Sequence, residues 1–156
     1  MLLEKPIMMK KIIILSILIL AIFSITTRVY GQCKSFAKKM CKVELQQYIH
    51  DGNYNAAVLT EGEDAELYKT FYAGQQYRIV VCGSDALPRI QFQILDLSRK
   101  VLFDNKKNNY VNKWDFELES SQQLVISVKV EESAATTEDF QILSGCVSIM
   151  FGILDE

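Results

Sequence analysis

The first pattern along the chain is an uninterrupted apolar stretch. From Ile12 to Ile25 only Ser16 and Ser24 break a run of fourteen residues, and Lys10 and Lys11 stand directly before it. As a helix the run would rise about 21 Å, short of a hydrocarbon core of ~30 Å. The length and the leading lysines predict a secretory signal. Val29-Tyr30-Gly31 supplies small or apolar residues at the −3 and −1 positions, so cleavage is expected after Gly31, with Gln32 as the new terminus. Met8 and Met9 precede the lysines, which leaves Met1, Met8 and Met9 as possible starts. Two alternatives are weaker. A signal anchor would have to include Thr26 and Thr27 and stop at Arg28; a lipoprotein would need a small residue where Gln32 precedes Cys33.

The next segment changes period. At 100° per residue over 34–47, Cys33, Phe36, Ala37, Met40 and Val43 share one face, with Lys34, Lys38, Lys39 and Lys42 opposite. This predicts an amphipathic helix lying on the rest of the protein, stopped by the turn cluster His50-Asp51-Gly52-Asn53. From Tyr54 onward the period becomes two. "WDFELE" puts Trp114, Phe116 and Leu118 on one side; "LVISVKV" and "IQFQIL" repeat the alternation. Further strands fit 55–60, 65–73, 76–82, 100–104 and 145–152, joined by turn-like connectors such as "EGED", "AGQQ", "GSDALP" and "DLSRK". Seven or eight short strands without intervening helices predict an antiparallel, jelly-roll-like β-sandwich. The expected organisation is a signal peptide at 1–31, a helix and turn at 32–52, and the sandwich at 53–156.

Charge and cysteines then narrow the setting. The full chain carries −2, but residues 32–156 hold 13 basic and 18 acidic residues, a net of −5. The four lysines of the expected helix precede the first acid, Glu44, so the body that follows them carries −9. An acidic body excludes nucleic acid as the expected partner, because phosphate contacts need clustered Lys and Arg. Cys33, Cys41, Cys82 and Cys146 in an exported chain are expected to be oxidised. Four cysteines allow three pairings. Cys82 and Cys146, each flanked by strand pattern, are the favoured pair, whereas Cys33 and Cys41 in one helix would lie ~12 Å apart and could pair only if the first helical turn frayed.

A family resemblance follows from the strand order. The runs "GEDAELYKTFYAGQQYRIVVCGSD", "IQFQILDLSRKVLFDN", "QLVISVKV" and "CVSIMFG" resemble the bacterial pre-peptidase C-terminal domain over about 90 residues. The resemblance implies a jelly-roll-like sandwich with a binding role and no catalytic residues of its own. The cysteines and the lysine helix depart from that family's pattern.

Candidate chemistry is sparse. The single histidine, His50, precedes Asp51, but no GxSxG elbow accompanies them and no CxxC or HExxH spacing occurs. No catalytic residue and no obligatory cofactor are expected. Glu61, Glu63, Asp64 and Glu66 crowd one turn, with Asp96, Asp104 and Asn105 at neighbouring strand ends, and calcium favours such oxygen-rich loops. Glu63, Asp64 and Glu66 are the metal candidates. In "DNKKNNYVNKW", Asn108, Asn109, Tyr110 and Asn112 combine amide groups with a ring face and form the ligand-binding candidate, while Trp114 is assigned to the core. The reading is an exported, periplasmic or secreted, non-catalytic sandwich without stable membrane insertion after cleavage. It binds a protein or glycan through strand-end loops. The alternatives are an accessory envelope domain docking through the basic helix, and a small hydrolase.

Overall fold

The computed structural model describes residues 28–133 and 142–155. The expected signal run and most of the connection 131–141 lie outside the described residues, and the expected cleavage point falls within the first helix. That helix, α1 (Arg28–Phe36), widens into a π turn (Ala37–Cys41) and tightens into a 3₁₀ turn (Lys42–Leu45). Among the described residues nine strands follow: β1 (Tyr48–His50), β2 (Asn55–Thr60), β3 (Asp64–Phe71), β4 (Gln76–Gly83), β5 (Ile90–Leu95), β6 (Val101–Asp104), β7 (Lys113–Glu117), β8 (Gln122–Val130) and β9 (Ser144–Leu154). The alternating segments sit where the sequence places them. β1 is the addition: three residues gave no period to detect, and His50 ends this strand instead of opening the turn.

The strands form two antiparallel sheets. In the first, β1 and β2 lie end to end along one side of β9, with β4 and then β7 on the other. The second runs β3-β8-β5-β6. Between them lies the main core, where Phe71, Phe92, Ile94, Leu124 and Ile126 of the second sheet meet Tyr77, Ile79, Ile149 and Phe151 of the first. Trp114 packs half-buried against this core, stacked between Phe103 at 5.2 Å and Phe116 at 4.3 Å.

The outer face of the first sheet carries a second, smaller core. Val80 of β4 and Met150 of β9 point away from the sandwich and are covered by Ala37, Cys41, Leu45 and Tyr48. Gly152 allows this close approach, since a Cβ there would stand 2.6 Å from the Cβ of Tyr48 and 3.1 Å from Leu45 Cδ2. Arg78 joins the layers at one end. Nε and Nη2 donate to both Asp115 carboxylate oxygens at 2.7 and 2.6 Å, Nη1 donates to Gln46 Oε1 at 3.0 Å, and the guanidinium lies 4.4 Å from the centre of the Tyr48 ring. A planar fork suits that bidentate and stacked geometry; an ammonium would not.

Two sequence expectations are corrected here. The disulfides join Cys33 to Cys146 and Cys41 to Cys82, with Cα separations of 5.2 and 5.8 Å, and not Cys82 to Cys146. Cys82 stands opposite Ser148 in the β4–β9 ladder, so Cys146 is its diagonal neighbour on the same outer face. The helix crosses that face and takes one strand cysteine with each of its own. The helical face differs too. Cys33, Ala37, Cys41 and Leu45 are buried, four residues apart, whereas Met40 and Val43 are 57% and 65% exposed. A repeat of four instead of 3.6 follows from the π turn, which rotates Met40 and Val43 off the face that a regular helix would give them. The four lysines are exposed, as expected.

Candidate functional site

A pocket of about 360 Å³ lies at one strand end, between the turn after β4 and the loop after β6. Its walls include Val81, Leu87, Pro88 and Ile90, and its polar groups include Arg89 and Asn112. Both loops are held from below by Asn105, which is buried. Its Oδ1 accepts from Phe92 N at 2.8 Å, and its Nδ2 donates to the carbonyls of Ile90 at 3.0 Å and Val111 at 3.2 Å. One amide thus fastens the start of β5 to the far end of the loop. Asp104 caps the short turn Asn105–Asn108 by accepting from Lys106 N, and it also receives Gln91 and Gln93 at 3.1 and 2.9 Å. Asn109 and Tyr110 both take left-handed backbone conformations at φ 55°. Two successive non-glycine residues in that region cost energy that the surrounding contacts must offset.

Tyr110 is the pivot of the rim. Its hydroxyl donates to Glu131 Oε1 at 2.9 Å, Lys106 Nζ reaches the same oxygen at 2.8 Å, and Arg89 lies 5.2 Å from its ring centre. The Lys106 and Tyr110 hydrogen bonds hold Glu131 below the ordinary glutamate value. Arg89 is exposed, so the rim presents a guanidinium backed by an aromatic plane.

Of the four loop residues singled out in the sequence, the pocket takes two. Tyr110 and Asn112 line it. Asn108 instead donates to the Asp104 carbonyl at 2.8 Å, and Asn109 is exposed in the turn. The polar pocket residues missed include Ser84, Asp85 and Arg89, while Asn105 was noted only among the oxygen-rich strand ends. "GSDALPR" reads as a connector because its turn residues hide its role as a wall. The one available signal was Pro88 beside Arg89, a stiffened cationic turn.

The metal candidates are not drawn together. Glu63 Oε2 accepts from Thr60 N at 2.7 Å, closing the β2–β3 turn, and Glu66 forms a two-point pair with Arg99 at 2.6 and 2.9 Å. Asp64 is exposed on β3. Among the described residues no group of three His, Cys, Asp or Glu side chains converges. His50 and Asp51 are also committed locally: His50 Nε2 donates to the Asn53 carbonyl at 3.0 Å, and Asp51 accepts from Asn53 N and from Lys69 Nζ at 2.9 and 2.7 Å.

These carboxylates make stability depend on acid. Burial opposes the charged form of Asp51 and of Asp104. Their hydrogen-bond donors outweigh it and hold both below the ordinary value of 3.8. A folded-state value below the unfolded one contributes stability that is present above the unfolded value and lost as pH falls through the folded one. The melting temperature is therefore expected to change little between pH 7 and about 5, then fall steeply below about pH 4. Asp104→Asn should flatten that acid limb in a melting series; an unchanged limb would reject the assignment.

No family model matches the chain, and no curated protein matches it. Among solved structures, a periplasmic inhibitor of g-type lysozyme from Aeromonas hydrophila, PliG, aligns with 15% identity and a TM-score of 0.46. The alignment covers 65% of this chain and 84% of that one. Among the described residues no helix is long and apolar enough to cross a membrane.

Proposed function

We propose that the chain is an exported, non-catalytic binding domain that captures a protein partner at the strand-end pocket. Export is supported by the two disulfides, since such crosslinks persist in oxidising compartments. The observation that carries the binding reading is the Asn105-anchored pocket itself. Its apolar walls and stacked Arg89 are set in place before any partner arrives, which lowers the ordering cost of association. A mixed wall of aliphatic groups with Arg89, Asp85 and Asn112 among its polar residues suits a side chain projecting from a protein loop. A sugar would want an open ring face, and here Arg89 lies against Tyr110.

The test is capture of exported proteins on the immobilised oxidised chain, followed by affinity measurement with the recovered partner. Arg89→Ala and Tyr110→Ala are each expected to weaken that partner at least tenfold, the usual scale for a central interface residue. Binding that survives both changes would reject the pocket. A glycan-array signal abolished by Tyr110→Ala would replace the protein partner with a polysaccharide.

A further inference from the structure

We propose that the outward face of the strapped helix docks the domain onto an anionic phospholipid surface. The argument starts from the four-residue repeat. With Cys33, Ala37, Cys41 and Leu45 turned to the sheet, the residues one step on, Lys34, Lys38 and Lys42, form a parallel row. Lys39 and Val43, two steps from Ala37 and Cys41, face away from the protein, and Met40 flanks them. Like charges four apart on a helix repel. No acid occurs from Arg28 to Val43 to relieve them. Among the described residues none of the four lysines makes an ion pair; Lys34 lies 5.8 Å from the centre of the Tyr54 ring. The helix cannot turn this face inward, because two disulfides hold its opposite face to β4 and β9.

Charge and shape select the occupant. The body beyond the lysines carries nine basic and eighteen acidic residues, so the lysine-bearing helix is the one segment whose charge an anionic plane would attract. Lysines are flexible point charges suited to phosphate headgroups; the bidentate recognition of one partner carboxylate favours arginine. Met40 and Val43, interleaved with the lysines, supply apolar contact at headgroup depth. The contact is peripheral and salt-sensitive, distinct from membrane insertion.

Sedimentation with phosphatidylglycerol–phosphatidylcholine vesicles tests it on the oxidised protein. Each lysine near such a surface changes partitioning about fivefold. Lys38→Gln/Lys39→Gln/Lys42→Gln should therefore lose on the order of 100-fold at low salt with its melting temperature retained. The matching Lys→Arg triple should bind like the parent, which separates charge from helix packing. Equal partitioning onto pure phosphatidylcholine would overturn the proposal. So would an unaffected Gln triple, or tighter retention on soluble polyglutamate than on vesicles, which would point to an acidic protein. None of these substitutions touches the strand-end pocket, so this result and the partner-capture result fail independently.

Discussion

Cys33→Ser/Cys146→Ser is expected to lose roughly 4–5 kcal/mol of unfolding free energy, more than loss of the other disulfide. The bond closes a loop with a sequence separation of 113, and in the chain-entropy account such a constraint removes most from the unfolded ensemble. Two further costs follow in the folded state. Cys33 is 2% exposed, so serine would place a hydroxyl beneath the helix, and the strap would lose its N-terminal fastening to β9. Cys41→Ser/Cys82→Ser, at a separation of 41, should cost about 4 kcal/mol by the same relation. The two effects will not add, because the shorter loop lies within the longer. Urea unfolding of both double mutants, with and without reductant, measures this. If the parent's midpoint is the same with and without reductant, the strap is not a source of stability.

Phe71→Ala is the largest single-residue loss expected, about 3–5 kcal/mol. Phe71 is fully buried and belongs to β3 of the second sheet, yet its ring meets three partners from the first. It lies edge-on to Tyr77 at 4.9 Å, Phe116 at 5.1 Å and Phe151 at 5.8 Å. Truncation opens a cavity where the two layers touch, and those rings are themselves pinned: Tyr77 donates its hydroxyl to Gln75 and accepts from Tyr72 N. Phe71→Leu should cost much less, about 1–1.5 kcal/mol, because most of the volume remains. Denaturant midpoints for the pair give the comparison. A loss below ~1 kcal/mol in the alanine variant would mean the site collapses freely and the ring cluster is not what joins the sheets.

The period-two segments were legible because each needs only one buried face. β7 alternates from Trp114 to Glu117, β5 alternates up to Ile94 and β8 from Ile126 onward, and β2 and β4 have the bounds expected of them to within a residue. β4 and β9 held a further clue. "YRIVVC" and "CVSIMFG" are nearly continuous apolar runs, and a strand covered on both sides has no reason to alternate. The candidate site was half legible. Tyr110 and Asn112 stood out as a ring and an amide in a loop, whereas Arg89 and Ser84 come from a turn 20 or more residues away in sequence, and no local pattern links the two.

By itself the sequence determined the positions of every described strand but β1, the oxidisable cysteines and the charge split between a lysine-rich helix and an acidic body, because periodicity and composition are local properties. Only the tertiary structure decided which cysteines pair, which helical face is buried and which two loops meet in a pocket. Those depend on a sheet face assembled from β4 and β9, strands some sixty residues apart, and on the helix that crosses it.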